Sequence, residues 1–240
     1  MLQRSAINTA SLTLFRFASV PARFWVLGQM ALARLALRRM PQIGFWKLCG
    51  SGTGEGFTPK PNTAVWAILA TWPDADTARS LIETAPVFRR WRAHATESWT
   101  ILLEPTSARG QWSGIAPFTP TDTPNTGPVV ALTRARMRAR TFMRFWRRVP
   151  DISKAIGADP NVIFKIGIGE IPLLHQVTFS IWPDAASMAH FARGDGPHGR
   201  AIQAVRAEDW FSEELYARFR ILDHWGTWGG TSPLAQKDAA

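Results

Sequence analysis

Two stretches of this chain share one frame: residues 72–99, WPDADTARSLIETAPVFRRWRAHATESW, and residues 182–210, WPDAASMAHFARGDGPHGRAIQAVRAEDW. Each opens on Trp-Pro-Asp-Ala at the end of an apolar strand, carries a proline further in (Pro86, Pro197) and closes on Glu-Ser-Trp or Glu-Asp-Trp. Asp74, inside the first turn, is a good N-cap, because its carboxylate accepts from the unpaired amides of a first helical turn. A helix is predicted over 75–95, bent or split at Pro86, which lacks an amide hydrogen. The second copy runs into a helix carrying His190 and His198.

Working outward, the match extends along the chain. Arg23-Phe-Trp25 corresponds to Arg144-Phe-Trp146, Phe45-Trp-Lys47 to Ile163-Phe-Lys165, and Trp99 to Trp210. Gly110-Gln-Trp-Ser-Gly114 corresponds to Gly226-Thr-Trp-Gly-Gly230. Period-2 alternation or apolar runs predict strands over 11–19, 43–49, 62–72, 98–104, 129–137, 162–168, 174–182 and 216–224. Further helices are predicted over 22–39 and 140–156. Each half thus reads β-α-β-β-α-β, the ferredoxin-like unit. The predicted fold is α+β: a tandem duplication of that unit, its two sheets packed within one chain as an α+β barrel of the kind dimers make from two. The predicted boundaries are a first half over 1–116, a Pro- and Thr-rich linker over 117–128, a second half over 129–230 and a disordered tail over 231–240.

The formal charge of +10 suits an anionic lipid surface, an acidic electron donor or nucleic acid. No zinc-finger spacing, basic zipper or RNA-recognition signature supports the last. The single cysteine, Cys49, excludes an internal disulfide and any multi-cysteine metal site, and its context reads as a strand end. Residues 17–37 are apolar but carry Pro21, Arg23 and Arg34, so they predict an amphipathic helix that can touch a membrane, not one that spans it. No signal pattern is evident, and the expected location is the cytoplasm, with peripheral contact at the inner or photosynthetic membrane left open. The loop Gly50-Ser-Gly-Thr-Gly-Glu-Gly56 lacks the Lys-Ser/Thr of a P-loop and reads as a hairpin connection or ligand-side loop. Twelve tryptophans suit a large apolar ligand, and also simply fill cores.

No nucleophile elbow, HExxH helix or Walker motif is present, so an enzyme built on this chain needs a cofactor for its chemistry. Among the five histidines, His198 stands out. It follows Gly194-Asp-Gly-Pro197, where a new helical turn begins, with Ala201, Ile202 and Val205 as an apolar flank. A neutral imidazole in that setting is what an axial haem ligand requires. The matching first-half residue is Val87, so the histidine lies outside the shared frame. His190 is the runner-up and His175, on a strand, comes after it. Arg193 and Arg200, with Arg206, are candidates for haem carboxylates, although a solvated basic face explains any one of them equally well.

WPDA, FARGDGPHGRAI at 191–202, WFSEELYARF at 210–219 and the Gly-Thr-Trp-Gly-Gly ending together resemble the spheroidene monooxygenase family, acyclic carotenoid 2-ketolases of purple photosynthetic bacteria. The resemblance spans about residues 11–230. It implies haem iron as cofactor, dioxygen and reduced ferredoxin as co-reactants, and oxygen insertion at C-2 of spheroidene-type carotenoids, hydroxyl first and ketone second. The position of His198 is also similar to the proximal histidine of ferredoxin-fold haem-degrading monooxygenases, an analogy of fold only. The resemblance identifies no distal acid or base. Three other readings stay open: a cofactorless monooxygenase of this fold, a haem or carotenoid carrier without turnover, and a structural protein with incidental histidines.

Overall fold

The computed structural model describes residues 9–54, 56, 58, 60–138, 161–171, 174–193 and 211–235, without the side chains of Ala192 and Arg193. The first half contains β1 (Thr9–Arg16), α1 (Val20–Arg38), β2 (Trp46–Gly52), β3 (Pro61–Trp72), α2 (Ala75–Thr84), α3 (Pro86–His94) and β4 (Glu97–Gly110). The second contains β5 (Val129–Met137), β6 (Phe164–Gly169), β7 (His175–Trp182), α4 (Ala185–Arg193) and β8 (Phe211–Gly226). All eight strands close into one antiparallel barrel in the order β1-β3-β2-β6-β7-β5-β8-β4. Each half supplies the same four-strand arrangement, β4-β1-β3-β2 and β8-β5-β7-β6.

Local chemistry sets the helix ends. Asp74 accepts from the amide of Thr77 at 2.7 Å, and Asp184 from that of Ser187 at 2.7 Å, so both WPDA turns are N-caps. Pro86 splits the predicted helix into α2 and α3, because its ring cannot donate to the preceding turn. No helix among the described residues is long and apolar enough to cross a membrane.

The strand pairings relate the halves more closely than the sequence match does. Trp72 faces Thr9 and Trp182 faces Val129. Leu48-Ile68-Thr13 form one row across the first sheet, and Gly167-Thr178-Thr133 the corresponding row across the second. Where the halves meet, Gly50 faces its own counterpart Gly169, and Glu104 faces its counterpart Arg220 and pairs with it. Two of the sequence matches are corrected by this register. Trp46 corresponds to Lys165, and Phe45 to Phe164, one residue away from the expected alignment. Trp99 corresponds to Leu215, while Trp210 lies outside the described residues. Similar words in the sequence slip against the true register because a strand is defined by its neighbours, not by its own residues.

The two GxWxG segments clasp opposite halves. Gln111 donates to the Glu214 carbonyl and Thr227 to the Ser98 carbonyl. Glu213 accepts from the amides of Ser113 and Gly114, and Glu97 from that of Gly230. Gly110 (φ 95°) and Gly226 (φ 86°) must be glycine, since a Cβ there would sit 2.2 and 2.1 Å from those same carbonyls.

The barrel interior is packed by inward rows such as Leu12, Leu14, Leu69, Ile101, Val130, Phe179 and Phe219. A second apolar layer lies outside the first-half sheet, where Phe15, Phe17, Ile68 and Trp72 meet Ile82, Phe88 and Trp91 of α2 and α3. Residues 117–128 have no regular structure but insert Phe118 edge-on against Phe219 at 4.9 Å. Leu234 also rests on the barrel core, and Thr231 bridges back to Trp228.

Candidate functional site

Side chains alternate between the two faces of a strand. The inward positions of β2, β5, β6, β7 and β8 are apolar until one end of the barrel, where they turn charged. Lys47, Arg134, Glu170, His175 and Glu213 converge there under the indole of Trp112. Glu170 is the hub. Its carboxylate receives Lys47 Nζ at 2.6 Å and Trp112 Nε1 at 2.6 Å. His175 Nδ1 lies 3.3 Å away, without the alignment of a full hydrogen bond, and Arg134 reaches to 4.0 Å. Arg134 is 1 % exposed, pairs with Glu213 and lies 5.6 Å from the Trp112 ring centroid. Lys47 also donates to Ser113 Oγ at 2.7 Å.

Burial raises the Glu170 pKa, but the close His175 imidazole, hydrogen bonds from Lys47 and Trp112 and the charge of Lys47 outweigh it and hold the group at about 2. Glu213 is likewise low: its burial is outweighed by the Gly114 and Ser113 amides and by Arg134. The Cys49 thiol is sealed in the core and pushed up by burial and then by the Glu170 charge, so it is a neutral structural thiol. Among the described residues no three His, Cys, Asp or Glu side chains converge as a metal site.

Most of this charge belongs to one end; the opposite end has the Arg16–Glu97 pair at 3.1 Å, with Arg16 4.4 Å from the Trp228 ring centroid. The register sets Ile166 at the opposite end for Lys47, Leu14 for Arg134, Ser51 for Glu170 and Val65 for His175. The Glu97/Glu213 clasp, an arginine paired with that glutamate (Arg16 or Arg134) and a tryptophan beside the arginine (Trp228 or Trp112) are common to both. Paired buried charges cost desolvation that an apolar core avoids, and the opposite end closes without counterparts of Lys47, Glu170 and His175.

Glu170 and His175 also form the inner wall of a cavity of about 330 Å³ at the β2–β6 seam. The seam is short, with only Gly50–Gly169 and Ser51–Ile168 paired across it among the described residues. Trp66, the loop after β2, and Leu27 and Met30 of α1 complete the walls. Gly50, Ser51, Gly52 and Gly56 therefore line a cavity. Gly56 (φ 92°) packs so closely on Gly167 that a Cβ would fall 1.8 Å from its carbonyl oxygen.

Beside the cavity, the outer face of the second-half sheet differs from its counterpart. Phe15, Leu48 and Ile68, which fill the first-half face, are replaced by Ala135, Gly167 and Thr178, with Thr133, Ala131 and Ser180 around them. The sheet there is a floor of small side chains. Its margins carry cations instead: Lys165 on β6 in the place of Trp46, and Arg218 on β8 in the place of Leu102.

The histidines separate clearly. His198 and Arg200 lie outside the described residues, and Arg193 ends α4 with its side chain undescribed. His190 is exposed on α4, whereas Met188 and Phe191 pack with Trp182. His94 stacks flat on Trp25 at 3.8 Å, and His224 lies on β8, its pKa lowered by burial. His175, which ranks low in the sequence, is on the cavity wall. The sequence reading missed Lys47, Arg134, Glu170, Glu213 and Trp112. A trace was legible in Val129–Met137, where Arg134 continues the parity of Val130 and Leu132.

No family model matches the chain. Spheroidene monooxygenase of Rhodobacter capsulatus is 56% identical over 231 residues, 95% of this chain and 96% of that protein. Spheroidene monooxygenase of Cereibacter sphaeroides is 53% identical over 232 residues, 96% of this chain and 72% of that protein. That of Rubrivivax gelatinosus is 33% identical over 209 residues, 87% of this chain and 80% of that protein. Among solved structures, an aldoxime dehydratase in complex with butyraldoxime superposes with a TM-score of 0.58 at 8% identity, over 90% of this chain and 80% of that one. A second aldoxime dehydratase gives 0.58 at 9%, over 90% and 82%; both share the fold. With two relatives above half identity along nearly its whole length, the chain belongs to the spheroidene monooxygenase family of oxidoreductases.

Proposed function

We propose that this chain oxygenates acyclic, spheroidene-type carotenoids at C-2, hydroxyl first and ketone second, using dioxygen, electrons from reduced ferredoxin, and haem bound by the second half. The observation that carries the substrate class is the 53–56% identity to two spheroidene monooxygenases over at least 95% of the chain. The register equivalence of the halves supports a tandem duplication of one βαββαβ unit, of which the second copy exchanged outer bulk for a ligand surface.

The described residues fit a haem. The small floor of Ala135, Gly167 and Thr178 admits a flat apolar macrocycle where Phe15, Leu48 and Ile68 would exclude one. Lys165 and Arg218 at its margins suit carboxylate substituents. His198 would supply the imidazole that holds the iron, and Arg193 and Arg200 further cations. When bound, haem supplies the oxygen activation and one-electron chemistry that side chains lack.

The chain's own part is to bind, orient and exclude water. Gly169 and Gln176 of the cavity wall lie two residues along the same strands from Gly167 and Thr178, a separation of about 7 Å. A polyene end held in the cavity is thus beside that floor. The cavity is sized for a terminal fragment of a long polyene, so the remainder lies outside it. Glu170, ionised at every physiological pH, and the tethered Lys47 fix the inner wall. The basic surface suits an acidic electron donor.

The test is the visible spectrum of the purified protein, expressed with ample haem, beside His198→Ala and His190→Ala. A Soret band in wild type and in His190→Ala that vanishes in His198→Ala is expected. Loss in His190→Ala alone transfers the ligand to that residue. Oxygenation of spheroidene by a preparation free of haem overturns the cofactor assignment.

A further inference from the structure

Eight large apolar side chains are exposed among the described residues, and they are not scattered. Val20 (61%), Phe24 (70%), Leu27, Leu32 and Leu35 are all on α1. Ile171 and Leu174 flank the segment between Glu170 and His175, both cavity-wall residues. The eighth, Ile115, follows Trp112, whose indole donates to Glu170.

Helix α1 is apolar on two opposite faces. Val26, Ala33 and Leu37 are buried against the sheet. At 100° per residue, Val20, Phe24, Leu27, Ala31 and Leu35 form a stripe about half a turn away, facing outward. A surface helix normally makes that second face polar. The sequence Val20–Arg38 has no Asp or Glu, and its charges are Arg23, Arg34 and Arg38, followed by Arg39. None of these arginines pairs with a carboxylate among the described residues. Leu27, on the stripe, also lines the seam cavity, as does Met30 beside it.

An apolar stripe bordered by cations with no carboxylate partner among the described residues matches an interfacial helix lying in the headgroup region of an anionic bilayer. We propose that α1 docks the protein on an anionic membrane with Phe24 and Leu35 inserted, so that the cavity at the β2–β6 seam opens towards lipid. A lipophilic polyene then passes from bilayer to cavity without crossing water. This use of the cavity rests on the carotenoid reading above; the docking itself does not.

The experiment is flotation of the full chain, as purified, with carotenoid-free vesicles of phosphatidylcholine alone or mixed with phosphatidylglycerol. The protein is expected to float with the anionic vesicles and to be released by raised salt. Phe24→Asp/Leu35→Asp and, separately, Arg34→Glu/Arg38→Glu are each expected to lower the partition coefficient about tenfold or more. Their urea unfolding midpoints should match wild type, because these side chains point away from the core. Wild type that stays unbound, or variants that float equally well, overturn the proposal. So does a vesicle-independent dimer in sedimentation that Phe24→Asp/Leu35→Asp dissolves while vesicle binding is absent. Normal vesicle binding with no oxygenation of spheroidene leaves docking standing and removes the carotenoid reading.

Discussion

Replacing Glu170 with Gln removes one charge from the polar end of the barrel and keeps the volume. In the native protein this carboxylate is held at about 2, against an ordinary 4.5. At about 1.4 kcal/mol for each tenfold change in proton affinity, that difference amounts to about 3 kcal/mol. The same order follows from leaving Lys47 without its partner in a largely buried site, since breaking a buried pair costs roughly 3–5 kcal/mol. The sign is that of a carboxylate with a depressed folded pKa. The stabilisation is complete above pH 4.5 and is lost as pH falls from 4.5 towards 2. Glu170→Gln is therefore expected to unfold in urea about 3 kcal/mol more easily at pH 7, with a melting point lower by roughly 6–12 °C for a chain of this size. The gap to wild type should narrow steadily below pH 4.5. Equal stability at pH 7, or a gap that does not change with pH, refutes the assignment of Glu170 as an ionised hub.

Trp112→Phe removes the indole N–H that reaches Glu170 and part of a fully buried ring, and should cost about 2 kcal/mol or more at pH 7, from a lost hydrogen bond to a charged group and a small cavity. Combined with Glu170→Gln, its effect should be less than additive in a double-mutant cycle of urea unfolding, and strict additivity would show that the two do not interact. Gly110→Ala and Gly226→Ala should each destabilise by about 1–3 kcal/mol or more, because both require positive φ and both meet a carbonyl of the opposite half. A large effect at one and none at the other would contradict the reciprocal clasp. Ala135→Phe/Thr178→Ile restores first-half bulk to the second-half sheet and should sharply lower the ratio of Soret to protein absorbance with the barrel still folded. Full haem uptake by that variant would place the cofactor elsewhere.

The two ends of the barrel pose a question that stability alone does not answer. One end has Leu14, Val65 and Ile166 beside the Arg16–Glu97 pair, the other Arg134, His175 and Lys47 around Glu170. A paired, buried charge cluster adds little net stability over an apolar plug. What it adds is a rigid polar wall at the short seam, beside the small-residue floor of β5–β7. In a pseudo-symmetric scaffold, residues that break the symmetry are the ones to test for function, and the cavity, the charge cluster and the cleared sheet face all break it in one region.

Much of the architecture is readable in the sequence alone. The strand spans of β1, β3, β5 and β7, the N-cap at Asp74 and the break at Pro86 are local events, encoded by periodicity, a short acceptor and a missing amide hydrogen. The repeated WPDA and GxWxG segments mark corresponding turns because a turn is also local. The lengths of β4 and β8 were underestimated, since Pro105 interrupts one pattern and Glu213-Glu214 obscures the other, and both strands are sustained by pairing with each other across the seam. The same holds for the site. Alternation along β5 reveals that Arg134 shares a face with Val130 and Leu132, but not that this face is the inside of a closed barrel, nor that Lys47, 87 residues earlier in the sequence, lies on the same wall. Barrel closure, the one-residue correction of register, and the meeting of five strands at Glu170 depend on non-local pairing. A strand's own residues specify its period; only its neighbours decide its register and which of its faces is inside.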